Sequence, residues 1–86
     1  MSQKDEDRAL AKAARGAMAR SSLDITELNI ICVGGFIDLQ GKVRAPRGAA
    51  GTVSVKREFE QIKVLVRSVR GVKDVRGDRV ILIEAS

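Results

Sequence analysis

The chain contains no histidine, tryptophan or tyrosine, and only two phenylalanines, one cysteine and one proline among its 86 residues. Without histidine, the side chain most often used as a general base or metal ligand near neutral pH is missing, and catalysis would need an unusual carboxylate or lysine arrangement. The expectation is a protein that is not an enzyme and takes neither a metal nor a cofactor. The single cysteine, Cys32, can close no internal disulfide and build no thiolate metal site, which excludes a disulfide-stapled domain and a zinc module. With no adjacent base or second thiol, it reads as a buried small apolar residue. Long apolar runs are also missing: the longest, Ile30 to Val33 and Val80 to Ile83, fall far short of the roughly 20 residues that span a bilayer. The first twenty residues, MSQKDEDRALAKAARGAMAR, are charged throughout and have no apolar centre, so they do not read as a secretory leader. A cytoplasmic location is the expectation for the sequence as it stands, and a periplasmic or envelope location if a leader precedes it.

What is present is charge, at 31% of residues, beside 44% hydrophobic residues. At this length that balance suits one small domain, residues 1–86, with the well-patterned part at about 5–83 and residues 1–4 as a tail. The net charge of +5 is unevenly spread: residues 1–43 hold six basic and six acidic side chains, residues 44–86 ten basic and five acidic.

Hydrophobic spacing gives the element order. From about Asp5 to Arg20, Leu10, Ala13, Ala14, Ala17 and Met18 recur on one helical face, with Asp5, Glu6 and Asp7 complementing the helix dipole at its start and Ser2 a candidate cap. Leu28 to Val33 reads as a strand, Gly34-Gly35 as a tight hairpin turn, and Phe36 to Arg44 as a second strand. In that second strand Ile37, Leu39, Gly41 and Val43 alternate with Asp38, Gln40 and Lys42, which sends the first set to a core and the second to solvent. Arg44 to Thr52 reads as a loop. Val55, Phe59, Ile62, Leu65, Val66 and Val69 mark an amphipathic helix over about Ser54 to Arg70, stopped by Gly71. Val72 and Val75 pack near a turn that Arg76-Gly77-Asp78 continues, and Arg79 to Glu84 is the last strand. The fold class is α+β: one α-β-β-α-β domain, a three-stranded sheet with two helices on one face.

The run Ile30-x-Cys32-x-x-Gly35-x-Ile37-x-Leu39-x-Gly41-x-Val43, followed by a helix, Gly71-Val72-x-x-Val75 and a closing strand, resembles the BON domain, a small module of bacterial proteins. The resemblance covers about Asp5 to Ile83, with about one additional residue between Val75 and the last strand. It implies a non-catalytic interaction module, associated with phospholipid or with surfaces of envelope assemblies. It transfers no set of binding residues. Gly34, Gly35, Gly41 and Gly71 read as structural, with Gly35 and Gly41 allowing the turn and close helix–sheet packing.

Two surfaces are candidate sites. On the second helix Lys56, Glu60, Lys63, Arg67 and Arg70 recur every three or four residues, a mostly basic stripe suited to an anionic membrane surface; Arg44, Arg47, Lys73, Arg76 and Arg79 are candidates to extend it. The competing view is a solvated helix face in which Glu60 neutralises its neighbours. On the sheet, if Leu28, Ile30 and Cys32 face the helices, then Ile31, Val33 and Phe36 are left for the opposite face, and Val80-Ile81-Leu82-Ile83 adds two more apolar residues in either register. Both faces then read as apolar, which suggests a covering protein partner or self-association into a homo-oligomer; the competing view is an edge-of-core patch of ordinary size. Nucleic acid is the alternative partner for so basic a chain. Gly48-Ala49-Ala50-Gly51 matches the GxxG loop of KH domains, but it joins a strand to a helix, and no aromatic stacking platform accompanies it.

Overall fold

Helix, hairpin, helix and strand follow one another in the computed structural model, which describes residues 3–46 and 54–84. The elements are α1 (Gln3–Met18), β1 (Leu28–Val33), β2 (Phe36–Arg44), α2 (Val55–Arg67) and β3 (Asp74–Ile83). They form an α+β domain whose sheet has the order β1-β2-β3, with β1 antiparallel and β3 parallel to the central β2. A parallel neighbour needs a crossover, and α2 supplies it.

Both strands of the hairpin have the bounds their alternation predicts. Gly34 and Gly35 join them at φ 60° and 89°, the pair of left-handed residues that matches a two-residue turn to the twist of the strands. Even-numbered residues of β1 and odd-numbered residues of β2 point at the helices. Leu28, Ile37, Leu39 and Val43 are buried there with Ala14 and Met18 of α1, Val55, Phe59, Ile62 and Val66 of α2, and Val75 of β3. Gly41 occupies a core-side position at φ 115°, and a Cβ there would collide with the Glu27 carbonyl. The close approach it permits is therefore of backbone to backbone where the chain enters β1, rather than of helix to sheet as expected. Gly35 likewise sits against the Gly71 carbonyl and the Lys73 side chain, in the α2–β3 connection.

The helices differ from the expectation at three boundaries. The helix α1 starts earlier, so Gln3 and Lys4 are its first turn rather than a tail, and it ends at Met18, after which Ala19 and Arg20 form a turn. The helix α2 ends at Arg67 rather than Arg70. The Ser68 hydroxyl donates to the Leu65 carbonyl at 2.6 Å, and the next backbone bonds, Val69 N to Val66 O and Val72 N to Val69 O, are three-residue closures that tighten the chain before Gly71 turns it.

The largest difference is β3, which begins at Asp74 and contains Arg76-Gly77-Asp78 rather than following it. Pairing passes from Asp38 opposite Arg76 to Gln40 opposite Arg79, so one residue more lies on β3 than on β2, a bulge. Gly77 sits under the ring of Phe59, where a Cβ would come within 2.8 Å of Cζ. The tripeptide is thus strand, and its glycine provides the close helix–sheet contact.

The start of α2 is held by two side chains. The Ser54 hydroxyl accepts from Arg57 N at 3.3 Å, and the Glu84 carboxylate accepts from Val55 N at 3.2 Å and Lys56 N at 3.0 Å. These are backbone donors that a helix leaves unpaired in its first turn. The capping box lacks its usual acid on the helix itself, and the residue following β3 replaces it.

Candidate functional site

The sheet face away from the helices is built by the other half of the alternation. Asn29, Ile31 and Val33 come from β1; Phe36, Asp38, Gln40, Lys42 and Arg44 from β2; Asp74, Arg76, Arg79, Ile81 and Ile83 from β3. The face is not apolar throughout, as both-faces counting suggested. The central strand carries a polar row, flanked at one corner by Ile31, Val33 and Phe36 and at the far edge by Ile81. Val33 and Phe36 are directly opposed, and Ile31 lies two residues along from Val33, so these three form one patch at the hairpin end. Their exposures are 44% for Ile31, 66% for Val33 and 55% for Phe36. Together they make one contiguous apolar patch beside the polar row, a kind of feature that is often functional.

The α2 stripe is placed along the β3 side of the helix, but its charge is divided. Lys63 pairs with Glu60 at 2.9 Å and lies 5.5 Å from the Phe59 ring centre. Arg67 pairs with Asp74 at 3.4 Å. Asp74 also accepts from its neighbour Val75 N at 2.8 Å; this bond first, and then Arg67, hold its carboxyl below the ordinary aspartate value. Lys56 and Arg70 are exposed at opposite ends of the stripe. Arg44, Arg76 and Arg79 belong to the opposite face of the sheet and do not extend the stripe; Arg44 pairs there with Glu27 at 2.6 Å and Arg76 with Asp78 at 3.7 Å. Lys73 sits at the hairpin corner, 5.8 Å above the centre of the Phe36 ring, the reach of a cation–π contact. Arg47 and Gly48-Ala49-Ala50-Gly51 lie outside the described residues. Of the two aromatic rings, Phe59 is buried in the core.

An open cleft of about 540 Å³ separates α1 from the hairpin turn and the α2–β3 connection, lined by Asp7, Leu10, Gly35, Arg70, Gly71 and Lys73 among others. Asp7 is committed to structure: it accepts from Gly34 N at 3.0 Å, from Gln3 Nε2 at 3.1 Å and from the Cys32 thiol at 3.7 Å. Burial pushes the Cys32 thiol above its ordinary value; the Gly35 N–H opposes this and the Asp7 carboxylate adds to it. The shift disfavours the thiolate, which is the reactive form. It is half-buried rather than fully buried. Among the described residues no three His, Cys, Asp or Glu side chains converge to hold a metal ion, and no helix is long and apolar enough to cross a membrane.

Two side chains that sequence reasoning passed over bear on the sheet edge. Arg15 donates to the Leu28 carbonyl at 2.7 Å and Asp7 takes the Gly34 N–H, so α1 reaches past the inner face of β1 and grips both ends of its open edge. In the sequence this is signalled only by Asp7, a charge that falls between Ala14 and Met18 on the apolar face of α1 at 100° per residue, with Arg15 at the border of that face beside Met18. No protein-family model matches this chain, and no curated protein is significantly similar to it.

Proposed function

We propose that this chain is a non-catalytic binding and assembly module of the BON type, that its contact surface is the hairpin end of the outer sheet face, and that what it contacts is protein. The observation that carries this reading is the exposed patch of Ile31, Val33 and Phe36. Covering apolar surface is favourable by about 25 cal/mol per Å², and a rigid hairpin loses little conformational freedom when it is covered. The test is site-specific photocrosslinking in the native cells, with a benzophenone side chain at position 36 and a control at exposed Gln61 on α2. Discrete protein adducts from position 36 and none from position 61 are expected. Equal labelling from both positions, or none, overturns the reading.

A second reading, attachment to anionic phospholipid, is favoured by one observation: Lys73 lies over Phe36 and Arg70 borders the adjoining cleft, so the apolar tip is edged with cations. Each such cation contributes about 1 kcal/mol near an acidic bilayer. This reading predicts flotation with anionic but not neutral vesicles, lost at high salt. Reversal of charge at Lys63, Arg67 and Arg70 separates the stripe from the tip: flotation that survives it with Lys73 intact assigns attachment to the tip.

A further inference from the structure

The strand β1 lies at one edge of the sheet, and its six residues, LNIICV, include no charge, proline or bulge, which are among the devices that keep edge strands from pairing. Another such device, a covering helix, is present as α1, but its side chains take only groups at the two ends of the edge, at Leu28 and Gly34. The opposite edge differs: β3 carries Asp74, Arg76, Asp78 and Arg79 and a bulge over its first six residues, leaving Val80 to Ile83 as its uncharged part. The hairpin register settles which groups β1 offers. Lys42 N donates to Glu27 O, so odd-numbered residues of β1 turn their backbone groups toward β2 and even-numbered ones turn theirs to the open edge. Of the latter, the Leu28 carbonyl is taken by Arg15 and the Leu28 N–H bonds the Ile25 carbonyl. Among the described residues no bond takes the outward backbone groups of Ile30 and Cys32, a donor and an acceptor on each.

These free groups match a copy of themselves. Two antiparallel β1 strands with Ile30 opposite Cys32 of the second copy exchange all four donors and acceptors. The two-fold axis then passes through Ile31, which faces its own counterpart. The neighbouring register, centred on Ile30, needs the Leu28 carbonyl that Arg15 already occupies. In the Ile31-centred register Leu28 of one copy stands opposite Gly34 of the other, and those are the residues gripped by Arg15 and Asp7. Neither side chain has an ion-pair partner among the described residues. They lie equally far along α1 on either side of Ala11, a small residue at the centre where the two helices would approach.

We propose that two copies of this chain pair edge to edge through antiparallel β1 strands about an axis at Ile31, so that Arg15 of each copy meets Asp7 of the other. The outer face then carries one continuous apolar strip, Phe36, Val33 and Ile31 of one copy followed by Ile31, Val33 and Phe36 of the second. On the inner face the half-buried Ile30 and Cys32 are covered. The proposal goes beyond the assembly reading above: pairing at the edge leaves the strip exposed and doubles the apolar surface which that reading offers to a protein partner.

The test is molar mass by light scattering across a concentration series, with circular dichroism as the check on folding. The native chain is expected to move from 9.3 kDa to twice that mass. Ile31→Lys, at an exposed position, places two cations face to face on the axis and is expected to weaken pairing at least tenfold. Asp7→Arg and Arg15→Asp each oppose like charges in their own homodimers and are expected to be monomeric alone. Mixed together they restore both attractive pairs, so the mixture is expected to dimerise, an outcome that no damage to the individual folds imitates. Ile31→Cys in a Cys32→Ser background is expected to cross-link on mild oxidation, because opposed residues of such a pair lie about 4.5 Å apart at Cα, within disulfide reach. A native chain that stays at 9.3 kDa at millimolar concentration overturns the proposal, as does a dimer indifferent to Ile31→Lys or a mixture that stays monomeric. If the chain is monomeric while the probe at position 36 still captures another protein, self-pairing falls and the assembly reading stands.

Discussion

Replacing Gly77 by alanine measures how closely α2 lies on β3. The backbone at Gly77 lies outside the left-handed region, so alanine adopts it without strain and by itself stabilises by about 0.4–1 kcal/mol through the unfolded chain. Against this, the new Cβ would meet Phe59 Cζ at 2.8 Å and Cε2 at 2.9 Å, with the Lys63 stem 3.6 Å away. Phe59 is 3% exposed, and its ring must tilt within a packed core, which costs about 1–3 kcal/mol. The net expectation is a loss of about 1–2 kcal/mol, which lowers Tm by roughly 5–15 °C in a domain of this size. Phe59→Leu removes the ring edge and loses packing of its own, about 1 kcal/mol. Because Leu leaves room for the alanine, the double variant is expected to be more stable than the summed effects by about 1 kcal/mol. Urea unfolding of the four proteins, with equal m-values, reads the coupling. Strict additivity would refute the argument, since it would mean that Gly77 and Phe59 do not compete for the same space.

Two further outcomes follow from local geometry. Glu84→Ala leaves Val55 N and Lys56 N without their carboxylate; at an exposed helix start this is expected to cost about 1–2 kcal/mol, with Glu84→Gln intermediate, read by thermal unfolding. For Cys32 the folded-state value lies above the unfolded one, so its contribution to stability is complete below the unfolded value and is lost as pH rises through the folded one. Alkylation by iodoacetamide at pH 8 is accordingly expected to be slower in the native chain than in urea, and equal rates would contradict the burial that raises the thiol.

The hairpin was legible because two independent signals agree on it: strict alternation in Phe36 to Val43, and a glycine pair where two left-handed residues are required. The start of β3 was not, because Arg76-Gly77-Asp78 has the composition of a turn and its glycine is there for a ring eighteen residues upstream. Local chemistry cannot report a tertiary demand of that kind. The apolar corner was reached by parity counting along β1 and β2, which also placed Asp38, Gln40 and Lys42 outward. Reading the whole outer face as apolar gave too little weight to that central polar row. The basic stripe was legible as spacing, but Asp74 reaches Arg67 only because the chain tightens after Ser68 and folds back, and no helical spacing encodes that. The grip of Asp7 and Arg15 on the ends of β1 is equally long-range.

The central position of β2 has a consequence for synthesis. One side of β2 is paired as soon as the hairpin closes, but the other waits for β3, which ends at Ile83. At about 5–20 residues per second, translating residues 45–83 takes roughly 2–8 s. During that interval Ile37, Leu39 and Val43 sit on a strand whose second edge is unfilled and whose covering helix α2 is still being made, with Ser54 its only cap until Glu84 takes Val55 N and Lys56 N. The nascent chain thus has its longest period of risk after its most readily formed element exists. A pause after the hairpin would lengthen that risk, and faster decoding of residues 45–83 would shorten it.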